Sequence, residues 1–245
     1  MNKLYYDLHT HSSLSPCADN DNTPNNLCGL AHLCKIDILA LCDHNSSRNC
    51  PAFFKAAERY NIIPVAGMEL TTAEDIHIIC IFEHLENALK FNDYIDKKRT
   101  LIKNREDIFG NQYILDENDN IVKTEEYLLS NATTVTCEEV KPLAESFGGT
   151  AYPAHIDRQS NGIISVLGTV PQSMDFKTVE INRKEAVLKT LEEYSLKEKN
   201  IVISSDAHYL TDLKDKENFF LFNANKNNPN AVRKELLEIL KGTRK

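Results

Sequence analysis

The 245-residue chain carries 28 Lys and Arg against 36 Asp and Glu, for a formal net charge of −8, and 42% of its residues are hydrophobic. That content supports a substantial core, and eight Gly and eight Pro are too few for a fibrous or disordered chain. The acidic balance leaves no broad electrostatic footprint for nucleic-acid phosphates, so extended nucleic acid is not an expected partner, while a local pocket for one small anionic substrate is still allowed.

Bound cations can supply the local positive charge that such a substrate needs. No apolar run approaches the roughly 18 residues that span a bilayer. The opening MNKLYYDLHTHSS lacks the apolar stretch of a secretion signal. A cytoplasmic location without membrane association is therefore expected. The seven cysteines (17, 28, 34, 42, 50, 80 and 137) are odd in number and form no CxxC pair, which argues against a disulfide framework or a thiolate zinc knuckle. Cys34, Cys42 and Cys80 stand among aliphatic residues and read as small core hydrophobes.

In chain order, apolar runs at residues 4–8, 36–42, 62–68, 76–82, 150–152, 178–181 and 201–204 read as buried strands. Pro51 opens a helix over 51–60. Residues 137–147 place Val140, Leu143, Ala144 and Phe147 on one face and stop at Gly148-Gly149. Residues 186–196 and 231–240 have similar periodicity. Alternating strands and helices predict an α/β protein with a mostly parallel sheet. Seven or so units in this length point to a closed or distorted barrel. Residues 85–134 depart from the repeat: a polar helical stretch, ENALKFNDYIDKKRTLIKNRED, precedes a hairpin at 113–124. This reads as an insertion beside the barrel mouth, either a substrate-selecting lid or a solvated excursion.

Most of the eight histidines fall at or just beyond predicted strand ends, where α/β folds build their sites. His9 and His11 follow the first strand at i, i+2 spacing and can share one face of an extended chain. Asp43 and His44 end the second strand and point apart. That arrangement gives His44 to a metal and Asp43 to orienting a ligand or lining the rim. Glu69 ends the third strand, His77 enters the fourth, and His155 follows the next. Asp206 and His208 repeat the i, i+2 spacing after the last. A buried carboxylate beside an imidazole is costly without a metal or a proton to share. Any one of these residues alone reads as a hydrogen-bonded structural residue; all of them together predict one metal cluster. A set of His, Asp and Glu without thiolate suits Mn, Fe or Zn. His32 and His84 lie in helical or post-strand contexts and read as structural.

The ordered set DLHTHSSLS, CDHN, GMELT, a histidine eight residues after Glu69, PAH and SSDAH resembles the polymerase and histidinol phosphatase (PHP) family of metal-dependent phosphoesterases. The resemblance covers nearly the whole chain outside about 85–134. It implies one PHP-type domain over 1–245, folded as a distorted (β/α)7 TIM-like barrel around two or three divalent metal ions. It implies His9, His11, His44, Glu69, His77, His155, Asp206 and His208 as ligands, with Glu69 bridging two metals. The family often adds an acidic ligand shortly after the first HxH, in a Ser-Asp-Gly segment. Here the segment is longer, Ser15-Pro-Cys-Ala-Asp19-Asn-Asp21-Asn-Thr-Pro24. Counting back from Pro24 favours Asp19, with Asp21 as the alternative, and the third metal depends on that choice.

Two metals about 4 Å apart can hold a hydroxide at neutral pH and neutralise phosphate oxygens during an in-line displacement. The expected reaction is hydrolysis of a small phosphate ester: a nucleotide, a sugar phosphate, or an amino-alcohol phosphate such as histidinol phosphate. Glu69 and Asp43 are placed at the catalytic centre. Arg158 is the candidate phosphate clamp, because a guanidinium grips two oxygens at once; Arg183 is a weaker one. Ser12, Asn45, Ser46 and Tyr209 are candidate hydrogen-bond donors to substrate. Two rivals stand beside this reading. An amidohydrolase-type C–N hydrolase also begins with HxH, but typically carries a bridging lysine where Glu69 stands. A non-catalytic metal-binding module would not need so many ligands, since structural sites usually close with four.

Overall fold

In the computed structural model, which describes residues 1–244, the chain forms an α/β fold with a curled sheet. Its strands are β1 (Asn2–Thr10), β2 (Ile38–Leu41), β3 (Ile63–Thr71), β4 (His77–Phe82), β5 (Tyr113–Leu115), β6 (Ile121–Thr124), β7 (Gly149–Pro153), β8 (Thr178–Glu180), β9 (Asn200–Val202) and β10 (Phe219–Phe222). The helices are α1 (Pro24–Leu33), α2 (Cys50–Tyr60), α3 (Leu85–Asp96), α4 (Glu106–Phe109), α5 (Cys137–Ser146), α6 (Ile163–Leu167), α7 (Val187–Glu193) and α8 (Pro229–Leu240). Among the described residues no helix is long and apolar enough to cross a membrane.

The main sheet has the order β10-β1-β2-β3-β4-β7, and β8-β9 form a separate parallel pair. Hydrogen bonds tie that pair to both sides of the main sheet. Ile156, just past β7, donates its backbone N–H to Glu180 of β8 at 2.9 Å. Thr10 of β1 forms a bridge with Ala207, just past β9.

The sheet is less parallel than the strand–helix alternation predicts. β1–β2 and β2–β3 are parallel, but β4 is antiparallel to both β3 and β7, and β10 is antiparallel to β1. The cause lies in the link between β3 and β4. Residues 72–76 are too few for the helical crossover that parallel neighbours need. They instead make a tight reversal closed by Thr72 N–H to Ile76 C=O at 2.9 Å, with Asp75 at φ 60°. β10 was not expected at all; its FFLF run shows neither strict alternation nor flanking turn glycines.

Two apolar layers form the core. Leu4, Tyr6, Leu8, Ile38, Ala40, Cys42, Val65, Ile79, Ile81 and Tyr152 cluster on the inner, concave side of the sheet. α8 covers this cluster with Val232, Leu236, Leu237 and Leu240. The alternate residues, Leu39, Leu41, Ala66, Met68, Leu70, Ile78, Cys80 and Phe82, pack outward against α1, α2, α3 and α5. This is the period-two alternation of a sheet buried on both faces.

That alternation is broken once, in β1. Leu4, Tyr6 and Leu8 face inward, so His9 and His11 would face outward in a regular strand. The pairing with β2 shifts register between Asp7, opposite Leu39, and Thr10, opposite Leu41. The extra residue is a β-bulge, which re-aims the side chains that follow it. Both histidines then join the inner side.

The stretch over 85–134 divides in two. The predicted long polar helix ends at Asp96, as α3, and lays Ala88, Phe91 and Ile95 into the outer core layer. Beyond it the chain turns back: Arg99 Nη2 donates to the Tyr127 carbonyl at 2.9 Å. The hairpin β5–β6 forms where the turn residues predict it. Its anchors reach the loops that follow β1 and β2. Tyr113 N–H donates to the Ser13 carbonyl at 2.9 Å, and Asn49 Nδ2 bonds Ser12 Oγ at 2.9 Å and the Tyr113 carbonyl at 3.0 Å. Arg48 pairs with Asp96 and Glu125.

Gly67 of β3 lies where a Cβ would sit 2.5 Å from Cys42 Sγ and 3.1 Å from the Cys80 carbonyl. Gly67→Ala is expected to destabilise the fold by about 1–3 kcal/mol through overpacking, read as a lower urea midpoint at unchanged slope. Adding Cys42→Ala should recover part of that loss; full additivity of the two changes would contradict this packing account.

Candidate metal centre

The strand pattern delivers one residue set to one end of the sheet. β2 extends past Leu41 so that His44 forms a backbone bridge with Glu69, and Asn45 N–H donates to the Glu69 carbonyl at 2.9 Å. Because β4 reverses, His77 at its start pairs with Thr71 at the end of β3 and lies at the same end as Glu69. Ala154 N–H bonds the His77 carbonyl at 3.1 Å and sets the position of His155. His11 N–H bonds the Ala207 carbonyl at 3.0 Å, which brings Asp206 and His208 beside β1.

Glu69 is the hub, with 1% of its side chain exposed. Its Oε1 lies 2.8 Å from His77 Nδ1, 3.1 Å from His155 Nε2 and 3.4 Å from His9 Nε2. Its Oε2 lies 2.9 Å from His44 Nδ1 and 3.3 Å from His11 Nε2. Asp206 Oδ1 is 3.3 Å from His9 Nε2, 3.2 Å from His11 Nε2 and 3.5 Å from His208 Nδ1. The His11 and His208 rings stack at 4.2 Å.

Outer contacts orient these rings. His9 Nδ1 donates to Glu180 Oε1 at 2.9 Å, and the same oxygen accepts the His155 backbone N–H at 3.1 Å. His11 Nδ1 lies 2.9 Å from Ser15 Oγ, whose single proton goes to Asp43 Oδ1 at 2.8 Å, so His11 Nδ1 is the donor in that pair. Asp43 also accepts from Ser12 N–H at 2.7 Å and Ser12 Oγ at 2.6 Å. His208 Nδ1 donates to the Asp206 carbonyl at 2.8 Å, and Asp212 accepts the backbone N–H groups of His208 and Tyr209.

With both Nδ1 atoms donating, the Nε2 atoms of His9 and His11 face each other at 3.1 Å. Two lone pairs at that distance repel unless a proton or a cation lies between them. Glu69 Oε2 and Asp206 Oδ1 are buried with no hydrogen-bond partner among the described residues, although imidazole nitrogens lie within 3.3 Å of each. No ring is angled to donate to them. The residues present therefore fit metal ions, and three overlapping sets have ligand atoms within 4.8 Å of one another: His9-His11-Glu69-Asp206, His44-Glu69-His77 and His11-His44-His208.

Proton affinities follow from the same crowding. Burial alone would raise the Glu69 carboxyl, but His77, His44 and His9 outweigh it and hold it well below the usual range. Burial also opposes ionisation of Asp206, yet His9 and His11 keep it low. Burial depresses His9, but Glu180, Asp206 and Glu69 lift it well above an ordinary imidazole. His11 goes the other way, lowered by burial and by His208.

The remaining candidates separate by position. Arg158, Tyr209 and Asp212 line a cavity of about 560 Å³ over the cluster, and Arg158 pairs with Asp206. Arg183 is outside that cavity's lining and bonds Asp157 at 3.2 Å. Ser12 is spent on Asp43, and Ser46 on Asn92 at 3.2 Å. Asn45 bonds the Leu129 and Asn131 carbonyls and the Thr71 N–H. Asp19 is exposed and accepts the Asp21 N–H at 2.8 Å, so neither acidic candidate of that segment joins the ligand sets. Two contributors escaped sequence reasoning. Glu180 left a trace, a lone carboxylate within an apolar strand. Cys17, on the wall of the same cavity as His44 and His208, left none.

The chain is similar to several solved structures. Endonuclease Q of Pyrococcus furiosus, a lesion-specific endonuclease, aligns over 99% of this chain and 57% of its own, with TM-score 0.65 and 15% identity. An endonuclease Q complex with a 27-mer duplex carrying an abasic lesion at the active site aligns over 85% of this chain and 50% of its own, with TM-score 0.55 and 15% identity. This chain thus spans about half the length of those relatives. An amidohydrolase of Chromobacterium violaceum aligns over 88% of this chain and 91% of its own, with TM-score 0.56 and 17% identity. Direct sequence comparison with curated proteins finds no match.

These likenesses correct the expected partner. A fold that carries duplex DNA at its active site removes the ground for restricting partners to small phosphorylated molecules and excluding extended nucleic acid. Net charge reports the long-range field, whereas a cation-filled cleft attracts phosphate locally. The model of the PHP domain matches residues 7–241. This chain, with its buried His, Glu and Asp cluster able to bind metal, belongs to the PHP domain family of metal-dependent phosphoesterases.

Proposed function

We propose that the chain hydrolyses a phosphate ester whose phosphorus sits over the Glu69 cluster, against Arg158. The observation that carries this reading is Glu69 itself, a buried carboxylate whose two oxygens face five imidazoles from four segments of chain. His9, His11, Glu69 and Asp206 would hold one ion, and His44, Glu69 and His77 a second, with His155 at the shared Glu69 oxygen. When bound, such ions activate water at neutral pH and neutralise phosphate charge. In this reading β8–β9 complete a distorted seven-stranded barrel in one domain, and the chain after α3, residues 97–134, shapes access to it.

The protein's own groups do the rest. Glu180 fixes the His9 tautomer, and Asp43 acts through Ser15 on His11. Arg158, 47% exposed, is held by Asp206 with donors to spare and offers them to the phosphate. The alcohol side of the ester leaves through the cavity mouth beside Tyr209, which is 53% exposed. That open side admits the ester of a nucleotide, sugar or amino alcohol. The endonuclease Q likeness adds a second substrate class, a nucleic-acid strand.

The test is phosphate release from metal-loaded protein on a panel of phosphomonoesters, single strands and duplexes with and without an abasic site, with amides and lactams alongside. Glu69→Ala should abolish turnover while leaving a cooperative melt. Turnover of amides alone would transfer the chain to the C–N hydrolases, and no turnover at all would favour a binding module.

Arg158→Ala should lower kcat/KM by roughly 10- to 100-fold, the value of about 1.5–3 kcal/mol for a hydrogen bond to a charged group. An unchanged kcat/KM would remove Arg158 from the site. Glu180→Gln keeps an acceptor for His9 but loses the charge. It should weaken metal affinity by about 10- to 100-fold in competition with a coloured chelator, with little change in unfolding midpoint of the metal-free protein.

A further inference from the structure

The excursion that follows α3 holds apolar side chains in solvent. Among the described residues α4 buries none of its four side chains, and its two apolar ones, Ile108 and Phe109, are 57% and 43% exposed. Leu101 and Ile102, earlier in the same excursion, are exposed as well. Large apolar side chains gathered in solvent mark interaction sites. The backbone beneath α4 is fixed. Asn104 Nδ2 donates to the Gly110 carbonyl at 2.9 Å, and the buried Gln112 donates from Nε2 to the Glu125 carbonyl at 2.9 Å and the Tyr127 carbonyl at 3.1 Å. A ring presented on such a loop loses little further freedom on docking.

The residue after Phe109 rests on the loop that walls the central cavity. Gly110 adopts φ 89°, and a Cβ there would collide with the Pro16 carbonyl oxygen, so this approach requires glycine. Asn111 then donates from Nδ2 to Asn20 Oδ1 at 3.2 Å. Cys17, directly after Pro16, lines the cavity over the cluster. On the other side of the same loop, Asp19 N–H bonds the His208 carbonyl at 2.9 Å, next to Tyr209 at the cavity mouth. Two exposed aromatic side chains, Phe109 and Tyr209, therefore flank residues 16–20. The cavity wall itself is made largely of polar side chains such as Arg158, Ser160, Asn161 and Asn182. An ester bound over the cluster finds polar contacts inside and apolar contact at this rim.

We propose that Phe109, with Ile108 beside it, is a stacking platform for a nucleobase carried on the alcohol side of the ester. This rests on the reading of the cluster as a phosphoester site, and it narrows the substrate to one that bears a flat ring. A nucleobase matches both kinds of group at the rim. Its face stacks on the phenyl ring, and its polar edge meets the Asn20 and Asn111 amides and the Tyr209 hydroxyl. An aliphatic chain would use the apolar surface and gain nothing from those polar groups. Stacking of this kind tolerates any base, because every base has a π-face. The base belongs either to a mononucleotide or to a nucleic-acid strand.

The chain contains no tryptophan, so Phe109→Trp places a single fluorescent reporter in the platform. In the metal-loaded, full-length protein its emission should be quenched by adenylate or by a short oligodeoxyadenylate, and left unchanged by ribose phosphate, which carries a phosphate without the ring. Equal quenching by the two base-bearing ligands supports the platform and identifies a mononucleotide. Quenching by the strand alone supports it and identifies a base flanking the bound phosphate. In turnover, Phe109→Ala should raise KM for the base-bearing ester by roughly 5- to 150-fold, with kcat and melting midpoint near wild type and KM for ribose phosphate unchanged. Absence of quenching by both base-bearing ligands overturns the proposal, as does a KM that rises equally for ribose phosphate. Quenching or a blue shift with phospholipid vesicles alone would assign the surface to a membrane and overturn it too. Quenching without turnover of any ester keeps the platform and removes the phosphoesterase reading. Turnover of base-bearing esters that is indifferent to Phe109→Ala keeps that reading and removes the platform.

Discussion

The structure depends on charge balance around one buried carboxylate. Glu69 sits inside an apolar strand, reached by His9, His11, His44, His77 and His155, with Asp206 on the far side of the same histidines. Such crowding is unfavourable unless protons or cations lie among the groups. Isolated buried charges are expensive, and facing lone pairs repel. Metal ions reverse both signs at once. Because these side chains come from β1, β3, β4 and the segments after β2, β7 and β9, ions held by them would also tie together parts of the chain that are far apart in sequence.

The surroundings hold that arrangement in place at local cost. Asn45, His155 and Asp206 all adopt positive φ, at 47°, 29° and 53°. Each conformation costs on the order of 1 kcal/mol or more for a residue with a side chain. Each lies where the chain leaves a strand and must aim a group back toward the centre. Compensation is visible beside them: Asn45 makes three hydrogen bonds, the His155 N–H is held by Glu180, and Asp206 is gripped by Arg158. The hairpin segment adds a brace, since Asn49 and Tyr113 lock it to the loops after β1 and β2. It is bound to the ligand-bearing loops rather than hung beside them.

The same frame carries different chemistries elsewhere. Its relatives in fold include an endonuclease and an amidohydrolase, each at 17% identity or less. Fold therefore sets where the site is, and the side chains set what it does. In this chain the carboxylate among the five imidazoles is Glu69, and the outer support of His9 is Glu180.

Much of this is legible in the amino-acid sequence. All seven predicted strands form, because short apolar runs ending in His, Asp or Glu have few other uses in a soluble core. The order of motifs also identified the family. What the sequence could not show was direction and parity. The i, i+2 spacing puts His9 and His11 on one face, yet inward Leu4, Tyr6 and Leu8 would have sent that face outward; only the bulge at β2 reconciles them. A short loop decided that β4 runs backward and so brings its first residue, rather than its last, to the centre. Counting along the chain favoured Asp19, whereas its carboxylate is exposed and accepts the Asp21 N–H. Sequence alone determined which residue types were available and on which strands. Their convergence was decided by pairing register and backbone hydrogen bonds between segments far apart in the chain, which no local pattern encodes.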